Sequence, residues 1–211
     1  MKDIGTDTGN QFSTDNFAGE CPHNANLSAK GILGIASYAQ IAESLGKMEE
    51  SETYRAIAID MMKEWIKKAD AGDHYKQAFD SGIDSWGMKY NLVWDNLLKL
   101  NIFPTEVSEK EVAWYLKQMK KYGIPLDGKH AFTKTDWSVW VASLSYDPQN
   151  FQYLITPLYR FMNETADRIP MADLINTEQA IIAGFPGRSV VGAYFMKLLL
   201  THIDTTNLSS Y

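Results

Sequence analysis

The sequence contains a single cysteine, Cys21, among its 211 residues. One cysteine excludes a disulfide within the chain, and there is no CxxC pair or Cys/His cluster of the kind that binds zinc. The redox compartment is left open. The sequence implies no metal site and no cofactor.

Positive charge is also scarce, because 20 Lys and Arg residues stand against 26 Asp and Glu residues. Nucleic-acid binding needs a clustered basic face. The short cluster of Lys117, Lys120 and Lys121 falls at the end of a predicted helix, where positive charge complements the helix dipole. We therefore expect no nucleic-acid partner.

Long apolar runs are missing. No stretch approaches the roughly 18 apolar residues of a membrane span, and residues 1–11 lack the apolar core of a signal peptide. We expect a soluble chain without a membrane span. Its Gly/Thr/Asp-rich start predicts that an upstream region of a longer protein has been removed.

What is present is an ordinary globular composition, with 45% apolar and 22% charged residues. The length fits one domain over residues 1–211, with residues 1–14 as an extended lead-in. Apolar residues recur at helical spacing, and no stretch shows sustained period-two alternation. The sequence therefore predicts an all-α fold, in which strands are at most short ribbons in the long loops.

The predicted helices follow one another as hairpins joined by motif-bearing loops. Thr135 or Asp136 is a candidate cap of the fifth helix, and Pro148 begins the sixth. The first five predicted helices cover residues 27–45, 51–69 (or 52–69), 92–100, 108–121 and 137–144. A sixth begins at residue 148. A loop over residues 169–187 separates it from a last helix over residues 189–201. About seven helices fit an α/α toroid of the six-hairpin type, or an incomplete, open portion of one, since a closed ring needs twelve.

The most informative segment is YGIPLDGKHAFTKTDWSVW, residues 122–140. Here a turn leads through Asp127, Lys129, Lys134 and Asp136 into an aromatic-rich helix. Two carboxylates and two ammonium groups beside tryptophans indicate a cleft, because a buried core accepts such charges only when they pair with each other or with a ligand.

This segment resembles the PLDxRxxYTKxDW pattern of the bacterial and fungal glutaminase A family, in its helical-hairpin domain. Three more blocks resemble that family in the same order, and the similarity covers about residues 11–204. They are FSTDNFAGECPHNANLSAKGILGI, DHYKQAFDSGIDSWGMKYNLVWDNLLKLNIFP and GFPGRSVVGAYFMKLL. Several ordered blocks are more specific than one short motif. The resemblance implies a helical-hairpin domain of the type found in Bacteroides, hydrolysis of the glutamine side-chain amide, and a periplasmic or extracellular location.

The chain departs from the family pattern at several positions. Phe132 replaces the tyrosine of the motif, and Lys129 replaces an arginine, which removes bidentate geometry. Leu174 and Ile175 follow Asp173 where the family usually has two aromatic residues. These departures favour a divergent substrate or a weakened site.

The candidate site residues lie where long connections meet presumed inner helices. We assign Asp136 and Asp173 as acid/base carboxylates, with helix capping as the alternative for Asp136 and pairing with Arg168 or Arg188 as the alternative for Asp173. His23 is favoured as an anchor of the first helix over a general base. The candidate substrate-binding residues are Asp15, Asn26, Asp84, Trp86, Tyr90, Asp127, Lys134, Trp137 and Arg188.

Three functions remain open from the sequence. The resemblance favours a glutaminase-like hydrolase acting on glutamine. Opposed carboxylates and tryptophan walls in an α/α toroid also suit a carbohydrate-active hydrolase acting on a saccharide. The third is a non-catalytic helical module, which upstream domains of the same protein or a second copy complete.

Overall fold

A computed structural model of the chain describes residues 6–10, 19–167 and 171–206, with side chains to residue 202. These residues fall into two compact units, one up to Val107 and the other from Ser108 onwards. The expectation of a single domain stays a prediction. Within the described part of the chain no helix combines the length and apolarity needed to cross a membrane.

The first unit is built on a helical hairpin. Helix α1 (Ala25–Ser44) packs against α2 (Met48–Ala69). Helix α1 begins at Asn24, whose Oδ1 accepts a hydrogen bond from Leu27 N at 2.8 Å, and it ends before Gly46, which adopts a φ of +74°. Asn24 is therefore the N-cap of α1, and the helix ends within one residue of the predicted end at residue 45.

Trp65 of α2 organises the core of the first unit. Its side chain is fully buried, its Nε1 donates to Ala25 O at 2.7 Å, and its ring lies 4.9 Å from Tyr75 and 5.3 Å from Phe103. A 3₁₀ segment (Tyr90–Leu92) and the short helix α3 (Val93–Leu98) complete this part of the chain, followed by α4 (Thr105–Gln118).

The lead-in to α1 lies partly outside the described residues, and so does Asp15. The described stretch, residues 6–10, contacts the hairpin. Thr6 Oγ1 donates to Glu64 Oε2 at 2.7 Å, and Ser28 Oγ donates to Thr6 O at 2.5 Å.

The second unit combines helices with a small sheet. Its elements are β1 (Phe132–Lys134), α5 (Thr135–Ala142), α6 (Pro148–Glu164), β2 (Ala172–Asn176), β3 (Ile182–Pro186), a 3₁₀ segment (Ser189–Phe195) and α7 (Met196–Thr206). Helix α6 begins with Pro148 after Asp147, whose Oδ1 accepts from Gln149 N, so this predicted start is confirmed. Helices α5 and α6 pack together.

The sheet corrects the all-α prediction, and the fold is mostly helical instead. Its strands are antiparallel in the order β1-β2-β3, with Lys134 opposite Leu174 and Leu174 opposite Gly184. Strand β2 is buried on both faces over Ala172–Ile175, so it shows no period-two alternation. The stretch 169–187, predicted to be loop-like, thus contains β2 and β3 in its described part, as short strands of the kind that the sequence allows in its long loops.

The chain after the sheet also differs from the prediction. Residues 189–195 form a 3₁₀ segment, and the α-helix begins only at Met196, whereas the apolar pattern predicts one helix over residues 189–201. A run of apolar residues does not distinguish the two helix types, because both place them on one side.

Candidate functional site

The site is built where β1 runs directly into α5. Lys134 is the last residue of β1 and the N-cap of α5, and Asp136 lies in the first turn of the helix. Neither Thr135 nor Asp136 is the cap, so the capping alternative for Asp136 is wrong. A carboxylate in the first turn lies at the positive end of the helix dipole.

Lys134 joins two carboxylates. Its Nζ donates a hydrogen bond to Asp173 Oδ2 of β2 and lies 3.3 Å from Asp136 Oδ1. The sheet register explains the first contact, because Lys134 is opposite Leu174, the residue after Asp173. Arg188 Nη1, at the start of the second 3₁₀ segment, donates to the same Asp173 oxygen at 3.1 Å. We call Lys134, Asp136, Asp173 and Arg188 the charged cluster.

The charged cluster is almost closed to solvent. The exposed fraction is 2% for Lys134, 3% for Asp136 and 0% for Asp173, whereas the Arg188 side chain is 46% exposed. Two positive and two negative groups balance, which is the condition for keeping charges buried. Arg188 is therefore the member through which the cluster meets solvent.

Each carboxylate of the charged cluster has one buried oxygen that makes no hydrogen bond to a described residue. These oxygens are Asp136 Oδ1 and Asp173 Oδ1. Buried polar atoms in native structures nearly always have a hydrogen-bond partner. Asp173 Oδ1 therefore offers an acceptor position, whereas Asp136 Oδ1 already lies 3.3 Å from Lys134 Nζ.

The two carboxylates have different surroundings. Burial raises the pKa of Asp136, and the positive charge of Lys134 opposes this shift. Asp173 contacts both Lys134 and Arg188, so two positive charges lie beside its carboxylate. Asp136 is therefore the group suited to carry a proton, and Asp173 is suited to hold the two cations.

Trp137 contributes an aromatic face to the cluster. The Lys134 ammonium lies 5.1 Å from the centre of its ring, within the range of a cation–π interaction, and the side chain is half-buried. Thus the structure brings together five of the predicted residues: Lys134, Asp136, Trp137, Asp173 and Arg188.

Tyr194 is a member of this neighbourhood that the sequence did not reveal. Its hydroxyl donates to Thr135 Oγ1 at 2.7 Å, between the two cluster residues of the β1–α5 junction. Burial raises the pKa of Tyr194, and the charge of Asp136 raises it further. Tyr194 lies in the apolar run over residues 189–201, and no sequence signal separates it from that run.

Asp127 has a local role in the structure. Its Oδ1 accepts hydrogen bonds from Lys129 N at 2.8 Å and His130 N at 3.0 Å, and it lies 2.9 Å from His130 Nδ1. This is an Asx turn closed by a histidine. The carboxylate therefore shapes the loop that precedes β1.

The other predicted residues belong to the first unit. Asn26 ties α1 to the 3₁₀ segment, since its Oδ1 accepts from Asn91 N at 3.0 Å and its carbonyl oxygen accepts from Asn91 Nδ2 at 3.3 Å. Trp86 and Tyr90 are buried, and Asp84 is exposed. Their assignment to substrate binding stays a prediction, as does that of Asp15.

No group of three or more His, Cys, Asp or Glu side chains in the part of the chain that the structure describes is arranged to hold a metal ion. The side chains of the charged cluster can themselves supply proton transfer by a carboxylate and stabilisation of negative charge by Lys134 and Arg188.

Comparison with known proteins agrees with the sequence blocks. Residues 1–198 match the family model described as the glutaminase A six helical-hairpin domain. Glutaminase A of Aspergillus oryzae is 32% identical over 198 residues, which cover 90% of this chain and 28% of that protein. A protein of Arthroderma benhamiae named as a probable glutaminase is 30% identical over 225 residues, covering 90% of this chain and 26% of that protein. The chain thus spans about a quarter of the length of these relatives, and it belongs to the glutaminase A six helical-hairpin domain family.

Proposed function

We propose that this chain is the helical-hairpin domain of a hydrolase that cleaves the side-chain amide of L-glutamine to glutamate and ammonia. The observation that carries the proposal is the charged cluster, in which one buried lysine joins two carboxylates with different surroundings. The names of the relatives favour glutamine as the substrate.

The cluster supports a mechanism in which Asp136 moves the proton. The Asp136 carboxylate takes a proton from water as the water oxygen bonds to the amide carbon. Lys134 or Arg188 stabilises the negative charge that develops on the amide oxygen. The C–N bond then breaks, and the proton on Asp136 passes to the leaving nitrogen, which departs as ammonia.

The same proposal includes the finer features that the resemblance implies. The hairpins are part of an α/α toroid of the Bacteroides type, further domains of a longer protein complete it, and the protein acts in the periplasm or outside the cell. Its support is the run of family blocks and the share of the relatives' length that this chain covers.

One observation favours a second, non-catalytic function. Asp173 is fully buried and paired with two cations, which also describes an ion-pair network that fixes the fold of the second unit. Under this alternative the cluster joins β1, α5, β2 and the second 3₁₀ segment, and no substrate reaches Asp136.

Ammonia release from L-glutamine, measured beside a panel of aryl glycosides, tests the proposed substrate. We expect ammonia release from glutamine only. The rate should fall as the pH is lowered, and the midpoint of this fall should lie above the usual pKa range of Asp, because burial raises the pKa of Asp136. Cleavage of a glycoside instead would replace the amide with a sugar substrate. A folded chain that cleaves neither would favour the non-catalytic alternative.

A further inference from the structure

The second unit contains a half-open pocket beside the charged cluster, with a volume of about 160 Å³. Helix α6 lines one side with Leu158, Phe161 and Met162, and the sheet lines another with Ile175 and Ile182. The walls are therefore largely aliphatic and aromatic.

The volume limits what the pocket can hold. An apolar cavity of about 150 Å³ is large enough to bind benzene. Whole drug-sized molecules occupy pockets of about 300 to 1,000 Å³. A single ring or one branched aliphatic side chain fits this pocket, and a larger body does not.

The polar groups of the lining favour a neutral occupant. Asp167 is a charged residue in the described lining, and its Oδ2 already accepts a hydrogen bond from Ile182 N at 2.8 Å. The hydroxyls of Thr135 and Tyr194 bond to each other at 2.7 Å. A charged ligand would lose its hydration against mostly apolar walls.

The pocket is next to the charged cluster in the structure. Thr135, which lines the pocket, stands between Lys134 and Asp136, and Ala172, which also lines it, precedes Asp173. Thr135 Oγ1 lies 3.4 Å from Ala172 O, to which it donates. Thr135 and Ala172 therefore line the pocket, while their neighbours in the chain belong to the charged cluster.

We propose that this pocket is a binding site for a neutral apolar group of about four to seven carbon atoms, such as a branched aliphatic side chain or a benzene-sized ring. Binding itself does not depend on amide hydrolysis. The group has two possible sources, which are the apolar part of a larger substrate held at the charged cluster and a separate small molecule.

Toluene is a suitable probe, followed by its effect on the NMR spectrum of the ¹⁵N-labelled chain. Ile182→Trp places a larger side chain in the pocket, and Met162→Trp does the same from α6. Ile181→Trp is the matched control, because Ile181 is the preceding residue, is 49% exposed and is not part of the described lining. The far-ultraviolet circular dichroism spectrum and the melting temperature establish that each variant is folded.

We expect saturable binding to the unmodified chain and to Ile181→Trp, and affinity weakened at least about tenfold in whichever of Ile182→Trp and Met162→Trp is folded. Absence of saturable binding to the folded chain would overturn the proposal. Equal affinity in the control and in a folded pocket-filling variant would overturn it too, since the toluene would then sit elsewhere.

A competition experiment distinguishes the two sources. If the group is part of the substrate, saturating toluene raises the KM for the substrate or weakens its binding. If it is a separate molecule, toluene and substrate bind together. A chain that binds toluene as expected but releases no ammonia from glutamine would support the pocket and count only against the proposed reaction.

Discussion

Lys134 at the end of β1 forms an ion pair with Asp173 of β2, and both side chains are almost completely buried. The two residues are 39 positions apart and meet because their strands are neighbours in the sheet. The pair also fixes Lys134 beside Asp136, so the geometry of the charged cluster depends on the sheet.

Removing the positive charge of this pair should destabilise the protein strongly. Lys134→Met keeps the length of the side chain but leaves Asp136 and Asp173 buried beside one fewer cation. Breaking a buried ion pair from one side typically costs about 3 to 5 kcal/mol. Urea unfolding of the variant should show a loss in the free energy of unfolding within that range.

Lys63→Met is the matched control for this change. Lys63 pairs with Asp60 one helical turn away, and both side chains are mostly exposed. Surface pairs contribute at most about 1 kcal/mol. Equal effects of the two substitutions would mean that Lys134 is not a structural centre of the second unit.

Asp95 should be sensitive to loss of its charge for a different reason. Its carboxylate accepts hydrogen bonds from Ile102 N at 3.1 Å and Phe103 N at 2.7 Å. Burial raises the pKa of Asp95, and these hydrogen bonds oppose that shift. Asp95→Asn replaces one acceptor oxygen with a donor NH₂ group that faces these backbone N–H groups. We expect a loss of about 1 to 3 kcal/mol in the free energy of unfolding.

The exposed Asp60 offers the control for Asp95. Asp60→Asn changes the same atoms on a solvated surface, so its effect should stay within about 0.5 kcal/mol. If Asp95→Asn is equally harmless in chemical denaturation, the carboxylate does not hold the turn that follows α3.

The contact between residues 6–10 and the start of α1 should depend on pH. His23 Nδ1 lies 2.7 Å from Asp7 Oδ1, and this hydrogen bond raises the pKa of His23 above 6.5. The stabilisation is complete below the unfolded-state pKa and is lost as the pH rises through the raised folded-state pKa.

Amide hydrogen exchange at Gly9 measures this contact, since Gly9 N donates to Asp7 Oδ1 and Gly9 O accepts from His23 N. After correction for the intrinsic pH dependence of exchange, protection should fall between about pH 6 and pH 8. Asp7→Asn should remove most of the pH dependence, leaving only the weaker effect of the Asp80 charge on His23. A protection factor that is constant over this interval in the unmodified chain would contradict the assignment.

The sequence predicts the helices where one apolar face is long. Helices α1 and α2 have buried residues at helical spacing over about twenty positions each. Asn24 and Gly46 mark the two ends of α1, and Pro148 marks the start of α6. The sequence does not give the position of strand β2, because the strand is short and buried on both faces and so lacks an alternating pattern.

The sequence also names the residues of the charged cluster and offers the Asp173–Arg188 pair as an alternative, but it does not reveal that Lys134 pairs with both carboxylates. Charges beside tryptophans single out Lys134 and Asp136, and a carboxylate and an arginine near the last helix single out Asp173 and Arg188. That Lys134 lies between the two carboxylates follows from the β1–β2 register, which periodicity does not encode. The sequence does not indicate Tyr194, because a tyrosine within an apolar run gives no sign of where its hydroxyl points.

Asp136→Asn tests the central claim most directly when ammonia release and the free energy of unfolding are measured on the same protein. A raised pKa means that Asp136 favours folding most at low pH and costs stability once the pH rises above its folded-state pKa. A neutral asparagine removes this cost. We therefore predict that at pH 7 the variant is at least as stable as the unmodified chain and releases ammonia from L-glutamine about 10²- to 10⁴-fold more slowly. A variant that loses stability while keeping its ammonia release would contradict the account, because Asp136 would then be a structural member of an ion-pair network and not the group that moves the proton.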